Sequence, residues 1–220
     1  MENNSFVESN IRKKEEFEEL EEESKNCQRC KLYKGRTNVV FGKGSIDTRI
    51  LFIGEGPGFN EDKKGIPFCG KAGEILDLLL LSINLKRDDV YITNIVKCRP
   101  PNNRDPEDEE IKSCSYFLTK QIDLIKPEII VPLGRHSMRE IFNRFSIDET
   151  GAISKVHGNI YEKKGVFILP LYHPAVAVYN PDRYLLLKKD FEKIGELIER
   201  KNYYKKEGEE NGYLFWKWKN

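Results

Sequence analysis

Four of the five cysteines fall into two separated pairs: Cys27 and Cys30 form a C-x-x-C, and Cys98 and Cys114 have fifteen residues between them. An odd cysteine count in a chain that reads as intracellular argues against a disulfide framework. Four thiolates so spaced suit a four-ligand metal site, either zinc or an iron–sulfur cluster. A second concentration of chemistry is Gly54-Glu55-Gly56-Pro57-Gly58, directly after the apolar run Ile50-Leu51-Phe52-Ile53. Glycines on both sides of Glu55 let backbone N–H groups approach a small ligand with no side chain in the way. The same stretch reads equally as a plain strand-to-helix turn with a solvated Glu. Further on, Asn94 and His173 each end an apolar run, and Glu61 and Asp62 lie in the segment after the glycine turn.

Alternating elements must position these groups. Apolar runs predict strands at about 49–55, 90–96, 128–133 and 166–171, and 3.6-residue periodicity predicts helices at about 71–83, 106–125, 135–145 and 182–200. Glu107, Asp108, Glu109 and Glu110 favour a helix start there, where the dipole is positive. Arg99-Pro100-Pro101-Asn102-Asn103-Arg104 must be irregular. Residues 146–165 read as a loop or hairpin. Strands alternating with helices give an α/β fold: three α/β/α layers around a central four-stranded parallel sheet. Ligands in such folds sit at the carboxyl ends of the strands. That rule groups Glu55, Asn94, Gly134 and His173 along one rim, although they are far apart in sequence.

The net charge of +1 hides an asymmetry. Residues 1–26 hold nine acids and four bases, a balance of −5, which leaves +6 for the rest. A moderately basic body permits nucleic acid without demanding it. Residues 1–26 read as a charged, solvated arm, because Ile11, Phe17 and Leu20 are too few to bury much. Residues 201–220 are rich in aromatics, with both tryptophans, and read as a segment folded back on the body or as an aromatic-basic contact for single-stranded nucleic acid or a partner. No apolar stretch is long enough for a bilayer, and the acidic start lacks the order of a signal peptide. The expected location is cytoplasmic and DNA-associated.

Several stretches, taken together and in order, resemble the family 4 uracil-DNA glycosylases, the iron–sulfur branch of that superfamily. They are Cys27-x-x-Cys30, Gly54-Glu55-Gly56-Pro57-Gly58, the run Gly65-Ile66-Pro67-Phe68-Cys69-Gly70-Lys71-Ala72-Gly73, the run Thr93-Asn94-Ile95-Val96-Lys97-Cys98-Arg99-Pro100-Pro101-Asn102-Asn103-Arg104, and His173-Pro174-Ala175. They cover about residues 27–200. The resemblance implies a monofunctional glycosylase that flips uracil out of DNA and hydrolyses its N-glycosidic bond, starting base excision repair. It implies a [4Fe–4S] cluster on Cys27, Cys30, Cys98 and Cys114, with Cys69 left over. It also implies a substrate pocket of Glu55, Gly56, Phe68, Asn94 and His173. Phe68 would stack on the base, Asn94 would read its edge, and His173 would donate a hydrogen bond to O2. Glu61 or Glu55 would be the catalytic acid residue. Lys71, Arg99, Asn102, Arg104 and Val178 would contact DNA. A monomer is expected, with the terminal tails free to engage a replication or repair partner.

The chain departs from the family where a Leu-Arg pair commonly precedes Asn-Pro. Here Val178-Tyr179 precede Asn180-Pro181. A shorter wedge and a missing arginine would favour substrates whose uracil is already unstacked: single strands or mismatches. The rival reading is a superfamily member that grips or covalently captures uracil-DNA without turnover. Covalent relatives carry a histidine-containing basic insertion and a Gln in the first motif; here Gly56 holds that position and residues 59–68 contain no His.

Overall fold

The computed structural model describes residues 2–211, with side chains described for 8–200. In chain order the elements are α1 (Glu2–Lys25), β1 (Lys43–Gly44), β2 (Ile50–Gly54), α2 (Phe59–Lys64), α3 (Lys71–Ser82), β3 (Tyr91–Asn94) and α4 (Asp108–Ile125). There follow β4 (Ile129–Pro132), α5 (Arg135–Arg144), α6 (Ile153–Val156), β5 (Tyr161–Lys163), β6 (Val166–Ile168), α7 (Ala175–Tyr179) and α8 (Arg183–Asn211). No helix among the described residues is long and apolar enough to cross a membrane.

The sheet runs β1-β3-β2-β4-β6-β5. Its inner four strands are parallel, and β1 and β5 add antiparallel edges. The sheet is therefore six strands wide rather than the four expected. The two extra strands are only two and three residues long, too short for an apolar period to register. β2 is buried along its whole length, as a strand covered on both faces must be. Its alternate residues feed separate cores. Leu51 and Ile53 pack with Phe117 and Leu118 of α4 and Ile141 of α5, while Ile50 and Phe52 pack with Leu76 and Leu79 of α3 and Phe191 of α8.

The N-terminal segment departs from the solvated arm expected. α1 is a helix with one docked edge: Phe17 and Leu20 are buried, and Ile11 remains exposed. The Phe17 ring meets Phe41 and Tyr91 edge-on, with centroids 5.5 and 5.4 Å apart. Two inward apolar residues suffice because Phe41 and Tyr91 offer Phe17 an aromatic seat that lies far away in sequence. The aromatic tail 201–220 lies outside the residues whose side chains are described. Because Phe17 is held between two rings, Phe17→Ala should lower the unfolding free energy by about 3 kcal/mol in urea titrations. A change below about 0.5 kcal/mol, the scale of an exposed site, would mean that the helix is not seated there.

Candidate active site and metal centre

Register brings the first two predicted rim residues together. β2 and β3 run parallel with Gly54 beside Asn94, and Ile95 N–H donates to the Gly54 carbonyl. A Cβ on Gly54 would lie 2.4 Å from Asn94 Oδ1 and 2.7 Å from Phe68 Cζ. Glycine is therefore required, and the carboxamide and the aromatic ring share the space it leaves. Phe68 itself stands at φ 50°, an unusual value for a non-glycine residue. Gly73 makes room for that turn, since a Cβ there would meet the Phe68 carbonyl oxygen at 1.7 Å. The Arg87 guanidinium donates to the Phe68, Pro67 and Gly73 carbonyls and so holds the loop.

A cavity of about 370 Å³ opens at this rim, lined by Glu55, Glu61, Phe68, Asn94 and His173 among others. Asn94 is 2% exposed, and its side-chain amide has no hydrogen bond among the described residues. The carboxamide therefore faces the cavity with its hydrogen-bonding groups uncommitted to the protein. His173 follows the Leu133–Leu171 bridge that extends the sheet past β6. Its ring stacks on Phe68 at 5.3 Å between centroids. Its Nδ1 accepts from Ala175 N–H at 3.2 Å, so the neutral ring carries its proton on Nε2. Burial pushes its pKa down to about 4, with Glu61 opposing the shift, so the imidazole is neutral at pH 7.

The acids separate by their surroundings. Glu61 Oε1 accepts from Cys69 N–H (2.9 Å) and Gly70 N–H (3.0 Å), a cradle that fixes the carboxylate on the cavity wall. Asp62 turns away; it is buried and accepts from Thr37 N–H at 2.9 Å. Glu55 lines the cavity and faces His136 Nε2 at 3.8 Å. Burial raises the Glu55 pKa, which the neighbouring His136 opposes. His136 also lies 3.3 Å from Asp105 and accepts from Arg135 Nε at 2.9 Å, so its nitrogen facing the acids is occupied.

Cys27, Cys30, Cys98 and Cys114 line a second, smaller cavity beneath the end of α1, and none forms a disulfide. Burial pushes the Cys114 thiol up to about 12 and raises Cys98 and Cys30 as well. Such thiols ionise when a metal replaces their protons. Two N–H groups already point at sulfur: Arg36 Nη1 at Cys98 and Lys97 N at Cys114, both at 3.3 Å. A tetrahedral zinc with sulfur at about 2.3 Å would hold its thiols ~3.8 Å apart. All four sulfurs belong to one small cavity, and among the described residues no histidine or carboxylate lines it with them. Cys69 stands apart from it, beside Glu61.

Residues 41–198 match the family model described as the uracil DNA glycosylase superfamily. A type-4 uracil-DNA glycosylase of Sulfurisphaera tokodaii is 50% identical over 82% of this chain and 84% of its own length. Type-4 uracil-DNA glycosylases of Archaeoglobus fulgidus and Thermotoga maritima are 46% and 43% identical, over 85% and 89% of this chain and 96% and 98% of their own. The chain belongs to the type-4 uracil-DNA glycosylases.

Within this type-4 framework the structure gathers Glu55, Gly56, Glu61, Phe68, Asn94 and His173 around one cavity. The expected DNA contacts are more dispersed. Arg104 reaches the cavity wall, but its guanidinium is bound to Glu110 at 2.8 and 2.6 Å, which makes it a brace for the proline-rich loop. Arg99 donates to Asn103 Oδ1 at 2.7 Å and lies over the Phe59 ring. Asn103, rather than Asn102, lines the cavity; both are exposed and have positive φ. Lys71 is exposed at the start of α3. On α7, Val178 is half-buried and Tyr179 is 88% exposed. Asn103 and Lys97 lie within the run Thr93–Arg104 but carry no role assigned from sequence, and His136 stands outside every motif.

The depressed His173 pKa makes a stability prediction. Between about pH 4 and 6.5 the unfolded chain binds a proton at this residue and the native one does not, so native stability rises with pH across that window. His173→Asn should flatten the rise by ~2 kcal/mol, allowing for solvent that reaches the ring through the cavity. Denaturation midpoints at both ends of the window provide the check.

Proposed function

We propose that the chain excises uracil from DNA, as the names of its relatives describe for them. The observation that carries this reading is the unpartnered, buried Asn94 carboxamide in a cavity shared with Phe68 and His173. A carboxamide oxygen accepts from uracil N3–H while its nitrogen donates to O4; cytosine presents the reverse pattern and is rejected. Phe68 offers the extruded ring a flat apolar face. The base must first leave the duplex or arrive in a single strand, at a cost of a few kcal/mol that is lowest for unpaired bases.

Hydrolysis breaks the N1–C1′ bond. The electron pair leaves with the base, and water adds at C1′ and gives up a proton. The neutral His173 supplies an Nε2–H donor for O2 as negative charge grows there. A neutral donor stabilises that charge without protonating the base. Glu61, held by two backbone N–H groups, orients the water and faces the positive sugar. Glu55 and the Gly56 backbone close the opposite wall. In this reading the glycosylase unit spans residues 27–200, and Lys71, Arg99, Asn103 and α7 meet the strand.

The cysteine quartet, in the same reading, holds a [4Fe–4S] cluster, supported by its thiol-only donors in one cavity and by the type-4 relatives. When bound, the cluster would join the loop after α1 to Cys98 in the segment before α4 and to Cys114 on α4 itself. Purified protein should contain iron and sulfide at ~4 per chain, and Cys98→Ser should lower both; stoichiometric zinc would contradict the assignment.

The activity test is release of abasic sites from a uracil-containing single strand. Native protein should cleave it, and Asn94→Ala should be slower by at least ~100-fold. Glu61→Gln should slow cleavage by a similar factor while DNA affinity stays within about threefold. Equal losses of cleavage and affinity would remove Glu61 from the chemistry.

A further inference from the structure

Lys97 is fully buried and has no ion pair among the described residues. Its ammonium donates to three neutral acceptors: Thr93 Oγ1 at 2.6 Å, Gln121 Oε1 at 2.6 Å and the Asn94 carbonyl at 2.8 Å. Three N–H groups thus meet three oxygens. The acceptors are themselves fixed, because Thr93 Oγ1 and Gln121 Nε2 both donate to the Phe41 carbonyl, at 2.7 and 2.9 Å. Burying so polar a group costs free energy, and a methionine would fill the same space at less cost. The network therefore needs a reason other than stability.

Position supplies one. β1 pairs only with Tyr91 and Ile92 of β3, so the outer edge of β3 has no strand partner at Asn94. Lys97 Nζ takes the place of the absent strand and holds the Asn94 carbonyl. The same residue's N–H points at Cys114 Sγ, and its carbonyl accepts from Val40 N–H at 2.8 Å. One residue thus joins the cysteine quartet to the backbone that presents the carboxamide.

We propose that Lys97 is a positioning residue that sets the Asn94 carboxamide for the base edge and ties that setting to the assembled cysteine site. The proposal rests on the uracil-excision reading above. It implies that removing the ammonium damages recognition of the base rather than of the DNA.

The test uses full-length, iron-loaded protein with Lys97→Met. Uracil release from a single strand should slow ~100-fold in kcat, with KM for DNA within about threefold. The inhibition constant of free uracil should rise at least ~10-fold, a change that general loosening of the fold would not confine to the base. Thr93→Val, which removes one of the three acceptors, should shift both quantities in the same direction by less, and serves if Lys97→Met does not fold. Native-like kcat and uracil inhibition in a folded, loaded variant would overturn the proposal. So would a loss of activity that merely follows lost iron while uracil inhibition in the loaded fraction stays native. Failure of the native protein itself to release uracil would overturn the underlying reading instead, which keeps the two failures distinct.

Discussion

The space above Gly54 is claimed by its neighbours, and the rest of the site depends on that claim. Asn94 Oδ1 and the Phe68 ring both lie within contact distance of where a Cβ would stand. The parallel register of β2 and β3 puts Asn94 alongside, and the turn held by Gly73 and Arg87 aims Phe68 from the other side. Phe68 in turn stacks on His173, which arrives from the far half of the sheet. Three strand ends and one loop are thereby locked around a single missing side chain. A close-packed arrangement of this kind tolerates little adjustment.

Electrostatics follow from the same burial. Protein walls keep His173 neutral, fix its tautomer through Ala175, and leave the Nε2–H on a ring that lines the cavity. Glu61 keeps its place because backbone amides cradle it, not because a cation neutralises it. In the cysteine cavity the same physics raises the thiols and leaves them dependent on a metal for ionisation. Lys97 lies between the two centres, with its protons on one side and its backbone on the other.

Much of this was legible in the amino-acid order, and for physical reasons. Buried parallel strands are continuous apolar runs, so β2, β3, β4 and the approach to His173 stood out, and with them the rim that unites Glu55, Asn94 and His173. The edge strands β1 and β5 did not, being too short to show a period. The docking of α1 was hidden because its seat, Phe41 and Tyr91, is remote in sequence. Arg104 looked like a phosphate ligand until Glu110 was seen to occupy it. Glu61 and Asp62 were neighbours in sequence and became opposites in space: one on the cavity wall, the other buried against Thr37. Lys97 lies in the run Thr93–Arg104, but its role depends on burial, which its neighbours in sequence do not reveal.

On the proposed function, this cavity receives uracil edge-on to Asn94. A crystal structure of the protein soaked with free uracil tests it most directly. The ring should lie on Phe68, with the Asn94 carboxamide paired with N3–H and O4 and His173 Nε2 within hydrogen-bonding reach of O2. Uracil bound elsewhere, or bound here with its edge turned away from Asn94, would contradict it.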